Sequence, residues 1–420
     1  MTVIIAGAGI GGLTLALSLH QVGVKARVYE SVDKLEPLGV GINVLPHSVR
    51  ELTELDLADE LAATAITTSM LAYFSKRGQP IWTEPRGRTA GYNWPQFSIH
   101  RGELQMILCR AVLERLGPEC IRTGHHVTAF EQTADGVAVH FVNRRTGKQL
   151  GSETGSLLIA ADGIHSAIRA HYHPSEGPPR WNGAILWRGV TEAPPFLDGA
   201  TMAMIGHERQ KFVTYPISPN AATPGHAVIN WIAELKFDPD HHWRREDWNR
   251  PGRLEEFLPN FEDWRFDWLD VPALVRGARH CFEYPMVDRD PLERWTDNRV
   301  TLLGDAAHPM YPIGSNGASQ AILDARVLTR ELQAKGATPA ALAAYETERR
   351  PATSRIVLAN RGNGPDQIMK LVEDRAPGGY ERIEDVLSTE ELQDVADSYK
   401  RIAGFDRETL NTRPPIVTAN

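Results

Sequence analysis

Thr2-Val3-Ile4-Ile5-Ala6-Gly7-Ala8-Gly9-Ile10-Gly11-Gly12, continued by Leu13, Leu15, Ala16, Leu17 and Leu19 and closing at Glu30, decides how the chain is read. The β-branched run up to Ala6 suits a buried strand, the glycines suit a tight turn, and the apolar spacing after them suits a helix. Gly7 permits the turn, Gly9 lets the backbone approach a pyrophosphate, and Gly12 lets helix and strand pack closely. Ala8, Ile10 and Gly11 complete a stretch whose N–H groups, at a helix N-terminus, attract phosphate. A second strand, Lys25 to Tyr29, ends at Glu30, about 20 residues beyond the glycines, where an acidic side chain accepts the hydroxyls of an adenosine ribose. The pattern predicts a dinucleotide-binding strand–turn–helix–strand unit.

At 420 residues the chain exceeds one simple core and predicts two or three domains, or a nucleotide domain carrying an inserted one. Its 42% hydrophobic and 23% charged residues are those of a globular protein. No apolar run approaches the about 20 residues of a membrane span, and the first residues enter a strand without a charged-then-apolar leader, so a cytoplasmic protein is expected. Cys109, Cys120 and Cys281 form no C-x-x-C pair, which argues against a disulfide framework and against a cysteine-held metal; no metal site is expected. A net charge of -8 without a Lys/Arg cluster disfavours nucleic acid and points to a small-molecule partner.

Leu38 to Pro46 alternates glycine with apolar residues and reads as a loop against a ligand or another backbone, or as a tight turn before a helix near His47. Ser48 to Leu61 reads as helical, Thr68 to Ile99 as β-structure, and Arg101 to Leu116 as a helix. Arg101, a cation at a helix start, is either a phosphate contact or a solvated surface residue. Ile121 to Phe130 and Gly136 to Asn143 read as strands, the second turning into Gln149. The apolar strand Leu157 to Ala160 ends at Asp162-Gly163, which places Asp162 at the carboxyl edge of a parallel sheet or makes it a helix cap.

Short strands through Trp231 predict an antiparallel β-domain, in which Trp187, Tyr215 and Trp231 line a pocket or pack the core. Trp243 to Trp268 reads as helical. A second buried strand ends at Gly304-Asp305; a proline-bracketed loop follows, then Gly314 to Ala318 opens a helix to about Lys335. His308, beside Pro309 in that loop, reads as structural. A helix from Ala340 to Arg350, a break at Gly362 to Pro365 and a partly helical tail complete the chain.

Three motifs in order carry a resemblance: Gly7, Gly9 and Gly12 with Glu30; Asp162, Gly163, Ser166 and Arg169; and Gly304, Asp305, His308 and Pro312. Together they resemble the single-component flavoprotein aromatic hydroxylases, the family of para-hydroxybenzoate hydroxylase. The resemblance implies an α/β fold: a Rossmann-type FAD-binding domain of residues 1-72, 98-180 and 276-365, an inserted antiparallel β-sheet substrate domain of 73-97 and 181-275, and a C-terminal helical tail of 366-420. It implies FAD with its pyrophosphate on Gly7 to Gly12, its ribose on Glu30, and Arg101 and Gln105 along the diphosphate and ribityl chain, with Val127 in the same site. Asp305 would bond the ribityl hydroxyls. Asp162 would stand near both FAD and a transient NADH or NADPH, and Gly314, Asn316, Gly317 and Ala318 would face the flavin's pyrimidine edge.

The implied activity is an FAD-dependent monooxygenase that uses NAD(P)H and O2 to hydroxylate an aromatic or heteroaromatic ring through a flavin hydroperoxide, a phenazine-carboxylate-like acid being the candidate substrate. Cofactor chemistry makes no general base obligatory. No catalytic side chain announces itself; His207, Tyr215 and Tyr284 are the pocket candidates, and Arg188, a carboxylate partner or a structural residue, is read as structural. Alternatives are a flavin reductase or dehydrogenase, a halogenase, whose W-x-W-x-I-P motif is missing here, or a non-catalytic binding protein of the same fold. A homodimer is compatible with the sequence and is not required by it.

Overall fold

The computed structural model describes residues 2–238, 241 and 250–418. Its first layer is a six-stranded sheet in the order Thr296–Asp297, Val300–Leu302, Leu157–Ala160, Val3–Ala6, Ala26–Tyr29 and Ile121–Arg122. All neighbours run parallel except the first pair. Val3–Ala6, Leu157–Ala160 and Val300–Leu302 are buried throughout, as fully apolar runs between helices must be. Ala6 pairs with Ala160 and Ala160 with Leu302. Three chain segments therefore leave the sheet side by side at its carboxyl edge, where folds of this kind bind ligands.

The second layer is a seven-stranded sheet in the order Cys281–Asp288, Arg180–Ala193, Ala227–Lys236, Gln210–Ser218, Thr201–His207, Met70–Phe74 and Pro80–Pro85. The antiparallel sheet expected here contains one parallel pair, Thr201–His207 with Met70–Phe74, because the two strands come from excursions far apart in sequence. One face packs Trp187, Phe212 and Trp231 against Phe257 and Phe261. The other packs Tyr73, Val213 and Tyr215 with Ile368 and Met369, and Leu186 and Tyr284 with Tyr311 and Ile313. Trp187 and Trp231 are thus core residues, and of the three aromatic candidates Tyr215 alone faces the nucleotide-binding layer.

Several boundaries differ from expectation. Gly41–Val44 is a strand, paired with Phe97–His100, in a stretch read as loop or turn. Ser48 to Leu61 is two helices, Pro46–Thr53 and Ala58–Thr64, separated at Asp56, which takes a φ of 55°. Ile121 to Phe130 is divided at Gly124, where φ is +69°. The helix read over Trp243 to Trp268 lies partly outside the described residues; from 250 onward the segment holds only the four-residue helical turns Leu254–Phe257 and Leu258–Phe261 and the paired strands Arg265–Phe266 and Leu269–Asp270. The helix expected to stop at Arg350 continues as Pro339–Arg361 through Pro351. There the missing N–H of Pro351 leaves the Thr347 carbonyl without its helical donor, while in the next turn the hydroxyls of Thr353 and Ser354 donate to the Arg350 carbonyl.

Candidate active site

The glycine turn is set by contact as well as by φ. Gly7 has φ +106°, and a Cβ there would stand 2.3 Å from the Ala161 carbonyl oxygen. A Cβ on Gly12 would stand 2.1 Å from the Gly7 oxygen, and one on Gly11 would stand 2.7 Å from the Leu303 side chain. Those glycines let the helix Ile10–Gln21 settle onto the sheet edge and against the third motif. Gly9 differs, since a Cβ on it would meet nothing within 4 Å. It caps the helix in extended conformation, leaving an open face beside first-turn N–H groups that have no intrahelical partner.

Around this face the sequence candidates gather. Glu30 accepts the Ala8 N–H at 2.8 Å with one oxygen, and Ser31 Oγ and the Val32 N–H at 2.9 and 3.0 Å with the other. Gln105 Nε2 donates to the Ala8 carbonyl at 2.8 Å. Arg101 is exposed, and its side chain comes within 3.7 Å of where a Cβ on Gly39 would be. Val127 is buried in the strand His126–Gln132, two residues beyond His125, whose N–H donates to the Glu30 carbonyl.

Ser166 is the N-cap of the short helix Ala167–Tyr172, accepting the Arg169 N–H, and Asp162 adds to it by accepting the Ala167 N–H at 3.0 Å through Oδ2. Its Oδ1 is buried with no partner among the described residues, one amide away from the Gly7 contact. Burial pushes its carboxyl up to about 6 against the opposing hydrogen bonds from Ser166 and backbone N–H groups.

The third motif, Gly304 to Pro312, is held from behind. Asp324 accepts the Gly304 N–H at 3.0 Å, faces His308 Nε2 at 2.5 Å and accepts Arg349 Nε at 2.7 Å, and all three side chains are buried. Burial alone would raise Asp324, but the charges of His308 and Arg349 outweigh it and hold the carboxyl at about 2. His308 is structural, as its sequence context suggested. Asp305 projects the other way. Solvent reaches it, yet burial raises its carboxyl, opposed by the charges of His308 and Arg101. A side chain both wetted and surrounded by protein lies on the floor of a recess. Further on, Gly314 and Ser315 both have positive φ, Asn316 is fully buried, and a Cβ on Gly317 would meet nothing within 4 Å. The next residue, Ala318, is half-buried in the same first turn.

On the sheet face toward this recess, Arg188 Nη2 and Tyr215 Oη both donate to the Gly41 carbonyl at 2.9 Å, and the Gly41 N–H donates to Asn230 Oδ1 at 2.7 Å. The Tyr284 ring centre is 6.0 Å from the Arg188 guanidinium carbon. Tyr215 and Tyr284 are therefore brought together. His207 is not with them: it lines a separate small cavity with Lys211, Glu234 and Asp366, where Lys211 Nζ is 2.8 Å from Asp366 and 3.1 Å from Glu234. Asn230, Asp324 and Tyr399 were not among the sequence candidates. An asparagine between Val228-Ile229 and Trp231-Ile232 was the available signal for the first.

The open glycine face, the unpartnered acceptor on Asp162 and the wetted Asp305 follow three neighbouring parallel strands and so gather at one carboxyl edge of the sheet, the place and the mix of donors and acceptors that suit an extended dinucleotide. This fold and this edge are those of a dinucleotide-binding enzyme. The chain belongs to the FAD binding domain family, whose model matches residues 1–360. It is 48% identical over 361 residues to "Phenazine 1,6-dicarboxylic acid hydroxylase PhzS" of Lysobacter antibioticus, covering 86% of this chain and 89% of that protein. It is 32% identical to "3-amino-4-hydroxybenzoate 2-monooxygenase PtmB3" of Streptomyces platensis, covering 97% and 96%. Klebsiella pneumoniae HpxO, crystallised with FAD and uric acid, superposes with a TM-score of 0.73 at 25% identity, over 98% of this chain and 96% of that one. The protein is an FAD-dependent monooxygenase of the aromatic hydroxylase class, with NAD(P)H as the family's reductant. Among the described residues no helix is long and apolar enough to cross a membrane.

Proposed function

We propose that this enzyme hydroxylates an aromatic acid of the phenazine-carboxylate kind, and that Arg188 receives the carboxylate. One observation carries this. The buried arginines Arg169, Arg326 and Arg349 each hold a carboxylate, on Glu176, Glu51 and Asp324 respectively. Arg188, on the pocket face, has none among the described residues, and its Nε is buried without a partner. Burial lowers its pKa, and what opposes that shift is Tyr215 and Tyr284 rather than a carboxylate. The names of the two relatives, a phenazine dicarboxylic acid hydroxylase and an aminohydroxybenzoate monooxygenase, support an acid. This replaces the structural role that the sequence alone favoured for Arg188.

In this reading the pyrophosphate lies along Gly7 to Gly12, the ribose on Glu30, and the ribityl chain between Arg101, Gln105 and Asp305. Bound FAD, reduced by NAD(P)H, would activate dioxygen, and the protein would orient the ring and exclude water. Tyr215 and Arg188 fix the Gly39 to Gly41 segment over the pocket, while Tyr311 and Ile313 close it from the opposite side. The expected division, 1-72, 98-180 and 276-365 for FAD, 73-97 and 181-275 for substrate and 366-420 as the tail, then shifts at its seams, because Met70–Phe74 and Cys281–Asp288 are strands of the substrate sheet. Cytoplasmic residence and a homodimer belong to the same proposal, checked by fractionation and light scattering.

The test is Arg188→Gln, assayed with a phenazine carboxylate and with its uncharged carboxamide. Losing a hydrogen bond to a charged group costs about 1.5–3 kcal/mol, or roughly ten- to a hundredfold in KM. The acid should lose that factor and the amide should not. Equal losses for both would remove Arg188 from acid recognition.

A further inference from the structure

We infer that Tyr399, on the helix Thr389–Ile402 of the C-terminal segment, is a positioning residue that aims the first turn of the helix Gly317–Lys335 at the flavin. The inference rests on the FAD placement proposed above. Tyr399 is 5% exposed, and its hydroxyl is the meeting point of three segments. It accepts Asn316 Nδ2 at 3.0 Å and lies 2.9 Å from Asn360 Oδ1 and 3.2 Å from the Ile313 carbonyl, so its single proton serves one acceptor or the other. Asn360 Nδ2 in turn donates to the Tyr311 carbonyl at 3.0 Å.

The tyrosine also occupies space the loop would otherwise use. A Cβ on Gly314 would stand 2.1 Å from Tyr399 Oη, and one on Gly364 would stand 3.1 Å from its ring. Gly314 and Ser315 take φ of 70° and 57° in succession, and for Ser315, a residue with a side chain, that conformation is strained and persists only where neighbours hold it. Tyr399 packs against Gly314 and bonds the residues on either side of the pair, Ile313 and Asn316. Its helix is fixed in turn by a Ser388–Glu391 capping box, by Lys400 Nζ on Glu84 at 2.8 Å and by Tyr92 Oη on the Phe405 carbonyl at 2.8 Å. The segment thus ties the edge of the substrate sheet to the loop ahead of Gly317, and it lies beyond residue 360, where the family match ends. First-turn N–H groups act on charge only within short range and in one direction. A loop allowed to relax would turn them away.

Tyr399→Phe keeps the ring and deletes the hydroxyl. In the holoenzyme it should leave the circular dichroism spectrum unchanged, shift the flavin reduction potential to a more negative value, and lower the hydroxylated product formed per NAD(P)H oxidised several-fold. A holoenzyme with wild-type potential and wild-type coupling overturns the inference. Should that variant not fold, Asn360→Ser, which withdraws an acceptor from Oη while the ring stays, gives the same two readings, and wild-type values there also overturn it. A wild-type protein that binds no FAD would instead defeat the cofactor placement.

Discussion

Glu30 accepts the N–H of Ala8 across 22 residues of sequence, at 2.8 Å, and so ties the end of the second strand to the glycine turn. Both its oxygens already hold protein donors. A carboxylate offers about four lone-pair sites, and three protein donors leave one free for a ribose hydroxyl without breaking the tie. Glu30→Ala removes both functions. FAD affinity should fall by roughly ten- to a hundredfold, the worth of about 1.5–3 kcal/mol for bonds to a charged group, read by titrating apoprotein with FAD fluorescence. An unchanged dissociation constant would place the ribose elsewhere.

Asp324 is the buried anchor of the third motif, and it should govern acid stability. Its carboxyl is held at about 2, below its unfolded value near 4, so the stability it supplies is present above pH about 4 and is lost as pH falls toward about 2. Asp324→Asn leaves Arg349 and His308 facing a neutral group, at a cost of about 3–5 kcal/mol. Thermal scans at neutral pH should show the loss, and the variant's stability should change less with pH than the wild type's in that acid window.

Asp162 carries the opposite sign. Its folded value is pushed up to about 6, above the unfolded one, so the apoprotein gains from it fully below pH about 4 and loses that gain as pH rises through about 6. Asp162→Asn can still cap the Ala167 N–H and never charges. At pH 7 the apo variant should be more stable than wild-type apoprotein, by a margin on the order of 2 kcal/mol that vanishes in acid. An apo variant less stable at neutral pH would contradict the origin assigned to the shift.

Gly41 tests the pocket wall. A Cβ there would stand 2.6 Å from Asn230 Cβ and 2.8 Å from Ile217 Cγ2, both buried in the sheet. Gly41→Ala should raise the substrate KM while FAD affinity changes little, a split visible by combining initial rates with cofactor titration.

What the sequence made legible follows from distance along the chain. The glycine turn, Glu30, the Asp162 edge and the Gly304-Asp305 edge are local strand-to-loop patterns, and each emerges where its residues predict. The partners that make them a site are remote: Asp324 lies 16 residues from His308, and Arg349 a further 25 on. Only the folded chain shows that, among the described residues, Arg188 lacks an acid while Arg349 has one. Pro351 read as a helix stop because local rules weigh the missing N–H, whereas packing along Pro339–Arg361 overrides it. Tyr399 had no local signal at all, since an amphipathic helix carries tyrosine for many reasons.

Oxygen transfer to an aromatic acid on bound FAD is read from product mass after turnover under isotopically labelled dioxygen with NAD(P)H and a phenazine carboxylate. The protein should be flavin-yellow and its hydroxylated product should carry one labelled oxygen atom. NAD(P)H oxidation that yields only hydrogen peroxide across a panel of aromatic acids, or a protein that takes up no FAD, would contradict that transfer.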